Sequence, residues 1–178
     1  MAQMVEGVDP ANNATLAELE GKTGPSNFFR LMAHKPDVLA SFPRLYSAIM
    51  GPGAVERKLK EMVYLAVSFV NECDYCTEAH LKAGRKAGLS ERTIEDLESE
   101  TNQNFTPAEQ AALRYAREMT RACARDFDTR GHLQEHFNEE QIVELTLVIA
   151  LANFTNRFNN GLNTHVEHET TLSTPAIR

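Results

Sequence analysis

The feature that most constrains this 178-residue chain is an apolar stretch over about 54–71 with helical spacing. Val55, Leu59, Met62, Val63, Ala66, Val67 and Val70 recur at three- and four-residue intervals, which puts them on one face of a helix. Leu65 and Phe69 add a second apolar face in its latter half. A helix apolar nearly all round has to be covered by other elements. No run of alternating residues and no strand–helix–strand rhythm supplies a sheet to do so. The expected fold class is therefore all-α, as a single domain over 1–178 with enough chain for a proper core.

Turn and capping residues divide the remainder. Helices are expected at about 11–20, 26–33 and 37–50, with breaks at Gly21–Pro25, Lys35–Pro36 and Gly51-Pro52-Gly53. A helix starts near Cys73 and runs to about Ala87, where Gly88 is a C-terminal stop. Ser90 caps a short helix to about Ser99. Thr106-Pro107-Ala108-Glu109 joins an N-cap, a Pro at the first helical position and the Glu of a capping box; that helix is expected to about Arg125. One or two turns fit 129–137. Asn138-Glu139-Glu140-Gln141 opens a last long helix to about Phe158, so the C-terminal helices occupy about 106–160. The tail, 161–178, lacks periodicity and reads as loose or docked on a neighbour.

One internal similarity stands out. An offset of 82 residues lays Leu65, Ala66, Val67, Phe69, Val70 and Asn71 on Leu147, Val148, Ile149, Leu151, Ala152 and Asn153. Cys73, Cys76 and His80 then fall on Thr155, Phe158 and Leu162. A degenerate repeat of a helical hairpin and a chance match of two buried helices explain this equally well.

Charge and cysteine usage narrow the function. A net charge of −7 without a basic cluster argues against nucleic acid and anionic lipid as partners. The longest apolar stretches, around Met62–Val70 and Leu145–Ala152, are too short to span a bilayer. Met1–Pro10 carries no basic and apolar leader pattern, so a cytoplasmic location is expected. There, three cysteines do not make a disulfide framework, and a close pair is catalytic or metal-binding.

The close pair lies in Asn71-Glu72-Cys73-Asp74-Tyr75-Cys76-Thr77-Glu78-Ala79-His80. Two cysteines three apart at a helix start lie on nearly one face and can form a disulfide. Helix N-terminal amides favour a thiolate, which points to Cys73; a neighbouring imidazole favours one too, which points to Cys76. His80 is four residues after Cys76 and beside it on the helix surface, but seven after Cys73, roughly 10 Å of rise. A base must be within hydrogen-bond reach, so Cys76 is read as the attacking thiolate and Cys73 as the resolving thiol. Glu61, on the preceding helix with Leu65 and Phe69, either orients His80 or takes its proton if the two helices pair. A solvated Glu near a helix start is the plain alternative.

Glu61, eleven residues, Cys73-x-x-Cys76, three residues and His80 together resemble the signature of the AhpD-like alkylhydroperoxidases of the carboxymuconolactone decarboxylase superfamily. Leu65-Ala66-Val67-Ser68 before the motif, and Ala83 through Gly88-Leu89-Ser90 after it, fit as well; the match covers about 55–95. The Asn156-to-Asn160 stretch is similar, less specifically. The resemblance implies an AhpD-like all-α fold and a hydroperoxide substrate. It also implies a Glu61–His80–water relay to Cys76, a resolving Cys73 and a homo-oligomer, a trimer or a trimer of dimers. Some members carry His where this chain has Tyr75. In the implied cycle Cys76 becomes a sulfenic acid, Cys73 closes a disulfide, and a thiol or dithiol reductant protein reopens it, with no metal or cofactor.

Three other readings compete. Cys73, Cys76 and His80 are three zinc ligands without a fourth. Glu61 and His80 alone would serve a lactone-decarboxylase-like acid–base enzyme. A redox sensor would form the disulfide without turnover. Among the remaining residues, Cys123 reads as a buried inert thiol, and the pairs His132/His136 and His165/His168 as surface histidines. His34 reads as a helix-end residue. Asn153, Asn156, Asn159 and Asn160 with Arg157 read as polar capping and solvated surface, or else as the lining of an active-site mouth or an interface.

Overall fold

The computed structural model describes residues 2–101, 104–122 and 127–167. Among these residues there is no strand. The helices are α1 (Ala14–Thr23), α2 (Asn27–Met32), α3 (Pro36–Met50), α4 (Arg57–Val70), α5 (Asp74–Lys86), α6 (Glu91–Glu98), α7 (Pro107–Ala122), α8 (Phe127–His136) and α9 (Glu139–Leu162). The all-α expectation holds. No helix of the described residues is long and apolar enough to cross a membrane.

Capping chemistry explains most boundaries. Ser90 accepts the Thr93 N–H and starts α6. Thr106 Oγ1 accepts the Glu109 N–H while Glu109 Oε2 accepts the Thr106 N–H, the reciprocal box read from the sequence. Asn138 and Gln141 exchange the same pair of bonds before α9. The first helix starts later than expected because Asn13, rather than a residue before Ala11, accepts the Leu16 N–H; a 3-10 turn, Pro10–Asn12, precedes it. α8 is longer than one or two turns. α9 passes Phe158 and Gly161 to end at Leu162.

Four helices end in one motif, with the first residue beyond the helix cap in the left-handed region. At the end of α4, Cys73 N–H donates to Ser68 O (3.0 Å) and Glu72 N–H to Phe69 O (3.1 Å). Gly88 closes α5, Glu100 α6 and Asn163 α9 in the same way.

The described residues group into two compact units. One falls within Met1–Leu45 and Phe158–Arg178, the other is Tyr46–Arg157, and α3 and α9 contribute residues to both. In the first, Phe28 packs edge-on to Phe42 and Phe158, with Leu16, Leu31, Met32 and Leu39 buried. The start of the C-terminal tail is tied down here, contrary to expectation: Glu167 accepts the Asn27 N–H (2.9 Å) and Asn27 Nδ2 donates to His165 O (2.9 Å). Residues 168–178, His168 among them, lie outside the described residues.

In the second unit α4 is the hub, packed against α5, α6 and α7. Met62, Leu65 and Ala66 of α4 meet Leu89, Ile94, Leu97, Phe105 and Leu113 in one buried cluster. Burying the apolar faces of α4 is what dictates this arrangement. The 82-residue offset does not describe a second hairpin. Where the first copy turns at Asn71 and Glu72, α9 runs on unbroken.

Candidate active site

α4 and α5 form the hairpin that the motif needs. α5 begins directly after Cys73, its N-cap, so Cys76 falls in the first turn and His80 in the second. Glu61 lies one turn into α4 and is fully buried, not solvated. A buried carboxylate has to be paired, and both of its oxygens are. Oε2 meets His80 Nδ1 at 2.7 Å, and Oε1 accepts from Arg57 Nε at 2.7 Å. Burial pushes the Glu61 carboxyl up, but the His80 hydrogen bond and the Arg57 charge outweigh it and hold the group below its ordinary range. An ionised carboxylate can only accept, so Nδ1 carries the proton and His80 Nε2 is left as the basic nitrogen.

Two tyrosines flank the imidazole. Tyr64 stacks on it at 3.4 Å between ring centroids and 13° between planes. The Thr155 hydroxyl proton goes to the carbonyls of Leu151 and Ala152, so Tyr64 O–H donates to Thr155 Oγ1. The Tyr46 ring is tilted by 52° to the imidazole, with 6.4 Å between the ring centroids. Burial first, then the Glu61 charge, pushes its hydroxyl up to about 12, and that hydroxyl also bonds to Arg57. Burial likewise pushes the Tyr64 hydroxyl well above its ordinary range, so both phenols are protonated at neutral pH.

Cys73 and Cys76 are both reduced and buried. The Cys73 thiol is pushed far above its ordinary range, chiefly because it hydrogen-bonds to the Cys76 sulfur, then by burial and by the Cys76 charge. The two sulfurs are thus joined by a hydrogen bond at the buried start of α5. Cys73 is the helix N-cap, and the Cys76 backbone N–H that bonds to its sulfur acts the other way, favouring a thiolate there.

Several contributors were not foreseen. Arg57 is four residues before Glu61, and the i, i+4 pairing rule would have found it. Tyr64 follows Glu61 by three residues and so shares its side of α4. The asparagines of α9 require a correction: Asn156 and Asn159 are buried, not solvated. A polar residue along a buried helix side cannot be told from a cap by sequence spacing. Cys123 lies outside the described residues. His132 is exposed beside Glu135, and His34 Nε2 meets Glu6 O at 2.8 Å. Among the described residues no three His, Cys, Asp or Glu side chains are arranged to hold a metal ion.

Known proteins resemble this chain in sequence and in fold. The profile of the carboxymuconolactone decarboxylase family matches residues 36–118. The uncharacterized protein YdfG of Bacillus subtilis (strain 168) is 32% identical over 109 residues, 60% of this chain and 74% of that protein. The alkyl hydroperoxide reductase AhpD of Bradyrhizobium diazoefficiens is 34% identical over 64 residues, 36% of this chain and 35% of that one. An uncharacterized peroxidase-related protein with an alkylhydroperoxidase AhpD core, from Ralstonia eutropha JMP134, superposes with a TM-score of 0.81 at 23% identity, covering 96% of this chain and 95% of the other. The debrominase Bmp8 superposes equally well, with a TM-score of 0.81 at 21% identity over 97% and 96% of the two chains. At such identities the superpositions establish the AhpD-like fold alone. Taken with the sequence matches and the Glu61, Cys73, Cys76 and His80 spacing, they place the chain in the carboxymuconolactone decarboxylase family.

Proposed function

We propose that the protein is a thiol-dependent peroxidase that reduces hydroperoxides through Cys76. The observation that carries this reading is the hydrogen-bonded Cys73–Cys76 thiol pair at the start of α5, with His80 one turn on and its Nδ1 held by the buried Glu61 carboxylate. Cys76 thiolate attacks the O–O bond and becomes a sulfenic acid; the leaving alkoxide takes a proton from the His80 side of the site. Glu61 holds the imidazole in the tautomer that can act on Cys76. Cys73, still protonated, condenses with the sulfenic acid, and the disulfide is reopened by a thiol or dithiol protein. No metal or cofactor takes part in this reading. It includes a homo-oligomer, which fits the exposed Val143, Leu147 and Phe154 on one side of α9.

Thiol counting before and after one equivalent of hydroperoxide tests the reading. Loss of two thiols, Cys73 and Cys76, with Cys123 retained, is expected. Steady-state consumption with a dithiol reductant separates an enzyme from a redox sensor. A second reading, a cofactor-free acid–base enzyme of the decarboxylase type, is favoured by the Glu61–His80 pair, which needs no cysteine. Cys76→Ser discriminates: peroxidase turnover should fall by about 10³-fold or more, while an acid–base reaction survives. Undiminished peroxide turnover in that variant sinks the thiol mechanism.

A further inference from the structure

The turn that delivers Cys73 is built differently from the turn that ends α5. Both carry the same pair of backbone bonds, but α5 uses Gly88 (φ +93) where α4 uses Glu72 (φ +50). A side chain in the left-handed region is unfavourable and persists only where its surroundings impose it. Glu100 adopts the same conformation at the end of α6, but beside Glu72 a cluster of amides holds the preceding residue. Asn71 Nδ2 donates to Asn153 Oδ1 (3.1 Å) and to Asn156 Oδ1 (3.0 Å). Asn156 Nδ2 donates in turn to Ser68 Oγ (3.2 Å), Ser68 Oγ donates to Tyr64 O (3.0 Å), and Ser68 O accepts the Cys73 N–H. Asn153 is itself anchored to Thr120 Oγ1 (3.1 Å) and Ile149 O (3.0 Å). Asn156 is fully buried, and an amide in such a place is stable only while these bonds are made. The clamp thus grips the backbone on both sides of Glu72, immediately before the resolving thiol.

We propose that Asn71, clamped by Asn153 and Asn156, is a positioning residue for resolution: it holds the 71–73 turn so that the Cys73 sulfur reaches a Cys76 sulfenic acid before a second hydroperoxide does. The inference rests on the peroxidase reading above. In the first step the Cys76 thiolate and a proton take ROOH to Cys76–SOH and ROH, with two electrons passing from sulfur to the O–O bond. In the second, the Cys73 thiol attacks Cys76–SOH; the S–O bond breaks, the S–S bond forms, and the hydroxyl leaves as water with the Cys73 proton. The competing step is Cys76–SOH plus ROOH giving Cys76–SO₂H plus ROH. Misplacing Cys73 acts mainly on the second step, where its sulfur is the nucleophile; in the first it is only a hydrogen-bond neighbour of Cys76.

Asn71→Ala tests this with a readout that general loosening would not give. Hydroperoxide loss in single turnover, measured in a Cys73→Ser background, should match with and without Asn71→Ala to within about twofold. Disulfide closure with Cys73 present should be slowed about tenfold, and the sulfinic product seen by mass spectrometry at excess peroxide should rise accordingly. Closure at the wild-type rate, or equal slowing of both steps, overturns the proposal. Should Asn71→Ala not fold, Asn156→Ser removes one of the two clamping oxygens; slower closure of smaller size is expected, and unchanged closure overturns the proposal. Diamide closes the dithiol without hydroperoxide. Slow diamide closure in Asn71→Ala, in a protein whose wild type ignores hydroperoxide, would uphold the clamp and remove the peroxidase reading.

Discussion

Lys60 and Glu61 are neighbours on α4, and both are charged and fully buried, yet their surroundings end differently. Lys60 Nζ donates to Ile49 O (2.9 Å) and Gly51 O (2.7 Å) and pairs with Glu144. Glu144 Oε2 also accepts the Val55 N–H (2.9 Å), so the loop between α3 and α4 is locked to α9. All three ammonium protons have acceptors, and that network is closed. Glu61 has two partners too, but one of them, His80, carries a second ring nitrogen that the pair does not use. A buried charge is therefore no sign of chemistry in itself. A network that is finished holds the fold, and one that leaves a reactive atom available can work on a substrate.

The contrast can be broken from either side. The largest effect is expected from Lys60→Met, which leaves Glu144 without its main partner and should cost about 3–5 kcal/mol in denaturant unfolding. The folded fraction should keep its specific activity; a loss of activity beyond the loss of folded protein would put Lys60 in the chemistry. Glu61→Gln is expected to act the other way. It should lower peroxidase turnover by about 10²-fold, equivalent to about 2.7 kcal/mol of barrier, with a smaller effect on stability.

The same variant sharpens the pH dependence. The Glu61 carboxyl is held below its ordinary range in the fold. Its ionised form therefore stabilises the protein fully above an unfolded-state value of about 4.3, and this contribution fades as pH falls through the lower folded value. Urea titrations at pH 6 and below pH 4 should show a smaller acid loss for Glu61→Gln than for wild type. An identical acid loss would mean that Glu61 is not ionised in the fold.

Two smaller perturbations grade the comparison. A Cβ at Gly53 would stand 2.0 Å from Glu144 Oε1, so Gly53→Ala has to displace the Lys60 counterion. About 1–2 kcal/mol of destabilisation with unchanged turnover is expected from a thermal melt. Arg57→Met removes the second partner of Glu61 and should reduce turnover by about tenfold. Arg57→Lys should recover part of it, since the charge returns without the guanidinium fork. Full activity in Arg57→Met would show that His80 alone keeps Glu61 in place.

Much of the fold was legible because helix ends are local. The Thr106 and Asn138 boxes, the Ser90 cap and the Gly88 stop are each settled within five residues, and all four are found where the sequence puts them. The Glu72 turn was not legible, because that position ordinarily asks for glycine, and the amides that clamp Asn71 beside it come from residues more than eighty positions away. The same reason hid Tyr64: a tyrosine on a buried helix is usually packing, and only the hairpin brings His80 onto its face.

Spacing alone put Cys73, Cys76 and His80 on one short helical run and Glu61 on the helix before it, because helical periodicity depends only on neighbouring residues. The remaining choices depend on which helix faces which. Burial forces Lys60 and Glu61 on α4 to find partners, and the partner each one finds follows from packing rather than from chain order. That is why Glu61 meets His80 while Lys60 meets Glu144.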